Sequence, residues 1–411
     1  MQVSAGNHNA CAVLSDGSLY CWGATSNGQL GTIEATPITT PTKMPFIDVV
    51  EASIGGGFIC ARETDGTVWC IGANDDAAVG VAPVANAACG GAACVTTPNK
   101  VTLPAKAAKL SAGYATVCVQ TVPAPGATGG DVYCWGDAFA GITGDVTAAV
   151  GSVQPVPTKI ATFSSDVTDL SVGNWDRGAV GDRPIACAIR ADKTVWCWGA
   201  NYLGGLGHAA GSDANDKTCV AQNGSLGCNA IPSKVAGVVS TVSVATGGTF
   251  ACAGQSTGAA YCWGNNSNGY LGSGDTTGSP TAVQVSGLNT TVNMTAGDIN
   301  VMTWDTDTNV RGWGANSFGQ LALGDYLGDA CPSFSCKKSA TQSAALFGTK
   351  QVELRALSGI ALKSDGKVYT WGSNDSGQLG HAPNTNGDTT CAIGTGYCNP
   401  TPAALKSPPW E

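Results

Sequence analysis

The segment Cys11–Gly31 reads CAVLSDGSLYCWGATSNGQLG, and the chain writes this pattern seven times. The other copies are Cys60–Gly80, Cys118–Gly144, Cys187–Gly207, Cys252–Gly272, Met302–Leu321 and Ile360–Gly380. The glycines that close the Trp-Gly of each copy, or its equivalent, are Gly23, Gly72, Gly136, Gly199, Gly264, Gly314 and Gly372. Their spacings of 49, 64, 63, 65, 50 and 58 residues describe a common unit with insertions of variable length. A period of this size, built from short apolar runs and glycine turns, marks a propeller or solenoid.

Within the unit, two apolar runs flank Ser15-Asp16-Gly17, which predicts a three-residue hairpin loop with Gly17 in the left-handed region that glycine occupies cheaply. Leu14 then pairs with Ser18, and counting outward brings Cys11 opposite Cys21. That is a non-hydrogen-bonded position of the ladder, where Cα atoms approach to about 4.5 Å, within reach of a disulfide. Each unit is therefore read as a hairpin stapled across its two strands.

The chain has 18 cysteines, too many for an ordinary reducing compartment. Five pairs are the staples: Cys11 with Cys21, Cys60 with Cys70, Cys118 with Cys134, Cys187 with Cys197 and Cys252 with Cys262. In the last two units both members are replaced together, by Met302 and Gly312 and by Ile360 and Thr370, as bonded partners would be. The rest fall into close pairs: Cys89 with Cys94, Cys219 with Cys228, Cys331 with Cys336 and Cys391 with Cys398. Nine local disulfides and no free thiol are expected, in an extracellular or cell-surface protein. The spacings do not match a tetrahedral zinc set, and there are only 3 histidines. Met1-Gln2-Val3-Ser4 leads straight into the first strand, so a secretion signal is expected to have been removed.

Each unit runs strand, hairpin, Asn/Gly loop, then a proline-containing crossover, seen at Thr97-Pro98, Val156-Pro157, Ile231-Pro232 and Ser279-Pro280. Pro400–Leu405 resembles such a crossover, while Gln2–Gly6 resembles the strand that follows one. The two termini are therefore expected to complete one blade together, removing exposed sheet edges. Residues 1–411 are read as one repeat domain.

A net charge of −9, with no cluster of lysines and arginines denser than Lys337-Lys338, argues against nucleic acid. No apolar run is long enough to span a membrane as a helix. No cofactor or metal is expected. Asp305-Thr-Asp307-Thr-Asn309 opens like a calcium loop but lacks the later glycine and glutamate, and it aligns with the Ser-Asp-Gly turn. His208 and His381 occupy equivalent Leu-Gly-His-Ala positions, each followed by an Asp-x-Thr-Cys segment at Asp216 and Asp388, and are read as repeated loop residues. His8 is placed at a turn before the first staple. Trp22, Trp135, Trp198, Trp263, Trp313 and Trp371 hold one fixed strand position and are assigned to the core between blades. Trp175, Trp304 and Trp410 fall outside that register and are better placed for exposed contacts. No nucleophile elbow, phosphate loop or paired carboxylates are present, so no catalytic residue is assigned.

Units two, four, six and seven carry long loops after the Asn/Gly segment, each with its own cysteine pair: CGGAAC, CVAQNGSLGC, CPSFSC and CAIGTGYC. All leave from the same point of the repeat and so are expected on one face, where long ordered loops on a rigid scaffold do binding. The candidate partner-binding residues are Asp213, Asp216, Asn223, Asp325, Tyr326, Phe334, Asn384 and Tyr397.

The unit core, Leu14–Gly23 with Gly28-Gln29-Leu30-Gly31, and most closely LKSDGKVYTWGSNDSGQLG at Leu362–Gly380, resembles the regulator of chromosome condensation repeats. The resemblance covers the whole chain and implies an all-β, seven-bladed propeller. Some members of that family are nuclear exchange factors for a small GTPase that bind histones and DNA. The cysteines, the acidity and Ile71 in place of the second unit's tryptophan depart from them. The chain looks more like secreted bacterial members, among them a propeller that inhibits β-lactamase through one face. The expectation is a non-catalytic extracellular scaffold that binds a protein partner. Self-association as a surface-layer, stalk or filament subunit is the alternative, with a polysaccharide-acting enzyme at the channel mouth as a third reading.

Overall fold

The computed structural model describes residues 1–34, 36–145, 152–173, 183–221, 224–290, 293–333 and 335–406. They form seven antiparallel sheets, five of four strands and two of five. The innermost strands are Gln2–Ala5, Val49–Ile54, Ala107–Ala112, Val167–Val172, Thr241–Thr246, Asn293–Ala296 and Thr349–Arg355, and they surround one central channel. The result is a seven-bladed propeller, numbered here from the N-terminus.

The second and third strands of each blade are the stapled hairpin. Leu14 N donates to Ser18 O at 2.9 Å, Gly17 takes φ 80°, and Cys11 faces Cys21. In the same register Cys60 faces Cys70, Cys118 faces Cys134, Cys187 faces Cys197 and Cys252 faces Cys262. The Cα atoms of these five bonded pairs stand 4.0–4.1 Å apart. In the unstapled blades, Met302 faces Gly312 and Ile360 faces Thr370 at the same site. The four insertion pairs are bonded as well: Cys89 to Cys94, Cys219 to Cys228, Cys331 to Cys336 and Cys391 to Cys398. No free cysteine occurs among the described residues.

Glycine after the tryptophan has a steric cause. The ladder to the outer strand slips between Cys21 and Gly23, and Gly23 takes φ 108°. A Cβ there would stand 2.1 Å from the carbonyl oxygen of His8. No side chain fits that approach.

The core lies between blades rather than within them. The six tryptophans of the repeat are fully buried. One apolar cluster joins Val3, Ala12 and Trp22 of blade 1 to Ile360, Leu362 and Val368 of blade 7, and the other junctions repeat the scheme. Each indole also donates to the second residue of the Gly-Gln-Leu-Gly loop in the preceding blade: Trp135 to Ala78, Trp198 to Ile142, Trp263 to Gly205, Trp313 to Tyr270 and Trp371 to Gln320, at 2.8–3.0 Å. Blade 2 carries buried Ile71 there, so its junction with blade 1 has no indole donor.

The termini do not share a blade. Blade 1 runs from Gln2 to Lys43 and blade 7 from Thr349 to Ala404, each continuous in sequence. The proline-containing segments are the fourth strands of their own blades, such as Cys94–Lys100 and Tyr397–Ala404, and their prolines lie where no further strand pairs on the outer side, so the missing N–H is tolerated. Their reading as crossovers shifted the unit boundary by one strand. Ring closure is instead blade against blade. The Gln351 side chain accepts from Val3 N and donates to Val3 O, both at 3.1 Å.

Candidate functional site

In an antiparallel four-strand meander, the turns after the first and third strands lie at one edge of the sheet and the turn after the second lies at the other. The insertions follow third strands ending at Ala73, Ala200, Ala315 and Ser373, so all four emerge on one face. A repeated asparagine sets each departure. The side-chain oxygens of Asn74, Asn201, Asn316 and Asn374 accept from the backbone of Val79, Leu206, Leu321 and Leu379 at 3.0–3.2 Å. Their amides donate to the carbonyls where the loops leave: Val81, His208, Asp325 and His381.

Blades 4 and 7 then close their insertions with the same clasp. His208 Nε2 meets Asp216 Oδ1 at 2.9 Å, and His381 Nε2 meets Asp388 Oδ1 at 2.9 Å. Both carboxylates are buried and take further donors: Gly211 N at 2.8 Å and Asp213 N at 3.2 Å on Asp216, and the Asn374 amide at 2.8 Å on Asp388. The equivalent histidines are thus loop residues with a defined task. His8 lies at the turn after the first strand and meets Ser376 of blade 7 at 3.3 Å.

The insertions of blades 6 and 7 join. Tyr326 hydroxyl lies 2.7 Å from Thr389 Oγ1 and donates to the Cys398 carbonyl at 3.3 Å. Burial pushes its phenol above the ordinary tyrosine value. Ala392 N donates to Ser317 O at 3.2 Å, and Ser333 N reaches Asn268 of blade 5 at 3.1 Å. Beside this seam is a groove of about 600 Å³ lined by Phe318, Asp375, Pro383, Ile393 and Tyr397 with neighbouring backbone.

Among the residues singled out in the sequence, Tyr326 and Tyr397 are half-buried at that seam and Asn384 is exposed beside it. Asp325 accepts from Leu327 N at 2.9 Å and Asp213 from Asn215 N at 2.8 Å, both half-buried turn carboxylates. Asp216 is enclosed by its clasp and offers nothing to a partner. Blade 4's residues are not brought together with those of blades 6 and 7. Asn223 and Phe334 lie outside the described residues, as do Trp175 and Trp410. Trp304 packs half-buried against the core of blades 6 and 7. Asp305–Asn309 forms the blade 6 hairpin turn, with Asn309 N donating to Asp305 Oδ1 at 2.9 Å.

The channel holds polar residues the sequence reading passed over. Its cavity of about 280 Å³ is lined by Gln2, Glu51, Lys109, Gln351, Glu353 and Arg355 together with serines and threonines. Side chains there stitch neighbouring inner strands: Glu51 accepts from Leu110 N, Ser53 from Ala112 N, Ser111 from Val172 N and Ser171 from Thr246 N, at 2.9–3.1 Å. Arg355 reaches across from blade 7 and donates to the carbonyls of Ile54 and Ala112 in blades 2 and 3, each at 2.6 Å. It lies at the end of its strand, so it bars the channel mouth on the insertion face. Burial lowers its pKa to about 10 and raises that of Glu353 above the ordinary carboxyl value. Lys109 pairs with Asp169, and burial lowers its pKa. The signal for these residues was the alternation of Gln351, Glu353 and Arg355, which puts three polar side chains on one side of a strand.

Seven blades with a repeated hairpin, Trp-Gly and Gly-Gln-Leu-Gly loop define a propeller of the kind that serves as a protein-binding scaffold. Models of the regulator of chromosome condensation (RCC1) repeat match the chain at residues 2–29, 16–62, 257–303 and 365–409. It is 27% identical over 387 residues to the human E3 ubiquitin-protein ligase HERC2. The match takes in 92% of this chain but 6% of HERC2, so the chain spans a small part of that relative's length. Two solved structures share the fold. Prp20p from Saccharomyces cerevisiae has a TM-score of 0.71 at 18% identity, covering 94% of this chain and 85% of its own. Human WBSCR16 has a TM-score of 0.71 at 19% identity, covering 96% of both chains. No helix among the described residues is long and apolar enough to cross a membrane.

Proposed function

We propose that this chain is a non-catalytic extracellular scaffold, a single propeller domain that recognises a protein partner through its insertion face. The observation that carries this reading is the joint between blades 6 and 7, where Tyr326, Thr389 and Cys398 fasten two stapled loops to each other before any partner arrives. A surface ordered in advance loses little entropy on binding. The nine disulfides support an oxidising setting. The scaffold role is consistent with the yeast propeller Prp20p, which binds Gsp1p and histones. Arg355 across the channel mouth weighs against a polysaccharide threading that way.

The test is proximity cross-linking on cells of the source organism with three forms: the native protein, Ile393→Asp on the insertion face, and Phe347→Asp on the opposite one. A partner captured by the native and Phe347→Asp forms but lost with Ile393→Asp supports the reading. Capture lost only with Phe347→Asp refutes it.

A further inference from the structure

The two faces of the ring differ in charge because of where the repeat places its ionisable residues. Lys43, Lys100, Lys159 and Lys234 close the outer strands of blades 1 to 4, opposite Tyr20, Trp69, Tyr133 and Trp196, at the edge away from the insertions. The hairpin aspartates, among them Asp16, Asp65 and Asp192, occupy that same edge. Lysines and aspartates there offset one another, as in the pair Lys106–Asp65. Among the described residues the insertion edge has no such balance. Asp75, Asp145, Asp275, Asp329 and Asp375 are exposed on its loops. The cations described at that edge are Lys217, Lys337 and Lys338 on the loops and return strands, Arg183 after the first strand of blade 4, and Arg355, which is buried in the channel mouth.

Into this acidic face opens the groove between blades 6 and 7. Its apolar lining is Phe318 from one blade and Pro383, Ile393 and Tyr397 from the other, all half-buried. Gly394 and Gly396 leave the backbone of one wall bare, and nothing lies within 4 Å of the Cβ position of Gly394. Exposed Asp375 stands in the wall, its Oδ1 accepting from Tyr397 N at 2.8 Å. A groove of this volume takes a short stretch of peptide with one or two of its side chains against the apolar lining, while the field of the face favours positive charge on either side of them.

We propose that this groove binds an extended segment of a basic protein, with an aliphatic or aromatic side chain against the apolar lining and lysines or arginines flanking it. The inference rests on the insertion face being the binding face. The apolar residue supplies the anchor and the flanking charges the orientation. Affinity therefore falls with added salt, since exposed charges are screened.

The experiment is selection of a displayed library of random linear peptides on the oxidised full chain, with each enriched peptide measured by fluorescence anisotropy. The expected winners place one apolar residue between basic ones. Ile393→Asp weakens them by about tenfold or more. Asp375→Asn, which keeps the hydrogen bond to Tyr397 N, weakens them in low salt and has little effect in high salt. Winners that respond to Leu203→Asp on the blade 4 loop but not to Ile393→Asp overturn the groove and leave the insertion-face reading standing. Winners that respond only to Phe347→Asp overturn both. Enrichment of acidic peptides, or of none, overturns the inference. So does growth in particle mass on light scattering that Ile393→Asp abolishes, because the occupant is then a second copy of the chain.

Discussion

The indole nitrogen of Trp22 donates to the carbonyl of Gln378 at 2.9 Å, across 356 residues of chain. It is the bond that each of five other tryptophans makes to the blade before it, and here it closes the ring. Trp22→Phe leaves that carbonyl buried without its partner, at a cost of about 1–3 kcal/mol. The urea midpoint should fall accordingly. An unchanged midpoint would mean that ring closure does not depend on this bond.

Blade 6 has the staple site without the staple. Met302 and Gly312 face each other, and a Cβ on Gly312 would meet mainly the ends of Leu321 and of Met302 itself. Met302→Cys with Gly312→Cys should form a tenth disulfide. Its oxidised form should exceed its own reduced form by about 2–3 kcal/mol in the chain-entropy model. The two forms are to be compared by thermal melts with the native bonds protected. Free thiols at both positions by mass spectrometry would count against the register.

Glu353 shows how the channel wall responds to acid. Burial raises its pKa above the ordinary 4.5, against hydrogen bonds from Gln351 and Thr295. The folded state therefore holds its proton to higher pH than the unfolded chain does. The residue's contribution is full below about pH 4.5 and is lost as pH rises through the folded value. Glu353→Gln should be more stable than the native protein at neutral pH, with the gain shrinking as pH falls. A difference independent of pH between 4 and 7 would refute this, on denaturation curves taken across that range.

The clasps are local devices. Asp388→Ala removes the acceptor for His381 and Asn374 and should open the blade 7 insertion to thermolysin, with cleavage between residues 382 and 397. The global melting temperature should move little, because the blade core beneath is untouched. A large drop in that temperature without new cleavage would show that the clasp supports the blade itself.

The hairpins were legible because their register depends on local chemistry. Once Ser15-Asp16-Gly17 sets the turn, every cysteine facing follows by counting, and the absence of both cysteines in two units carries the same information. The outer strands were not legible as such. Proline suits both a crossover and an edge strand, and the ladder pairing of Tyr397–Ala404 with its own hairpin decides between them. The insertion face was readable as a shared point of departure, but the meeting of Tyr326 with Thr389 depends on blade spacing. Asp216 looked available because its histidine partner sits eight residues earlier across a loop whose path no periodicity records. Arg355 was the least accessible to sequence reasoning. Its partner Ile54 is 301 residues away and comes near only when the ring closes.

Every one of the nine disulfides joins a cysteine to the next cysteine in the chain. A chain oxidised as it emerges from a translocation pore would thus find each correct partner before any wrong one appeared. Simple oxidation in order of synthesis would suffice, with none of the slow reshuffling that interleaved pairings require. A host with an oxidase but little isomerase activity should still yield correctly bonded protein. No blade need wait for its neighbours before it is sealed.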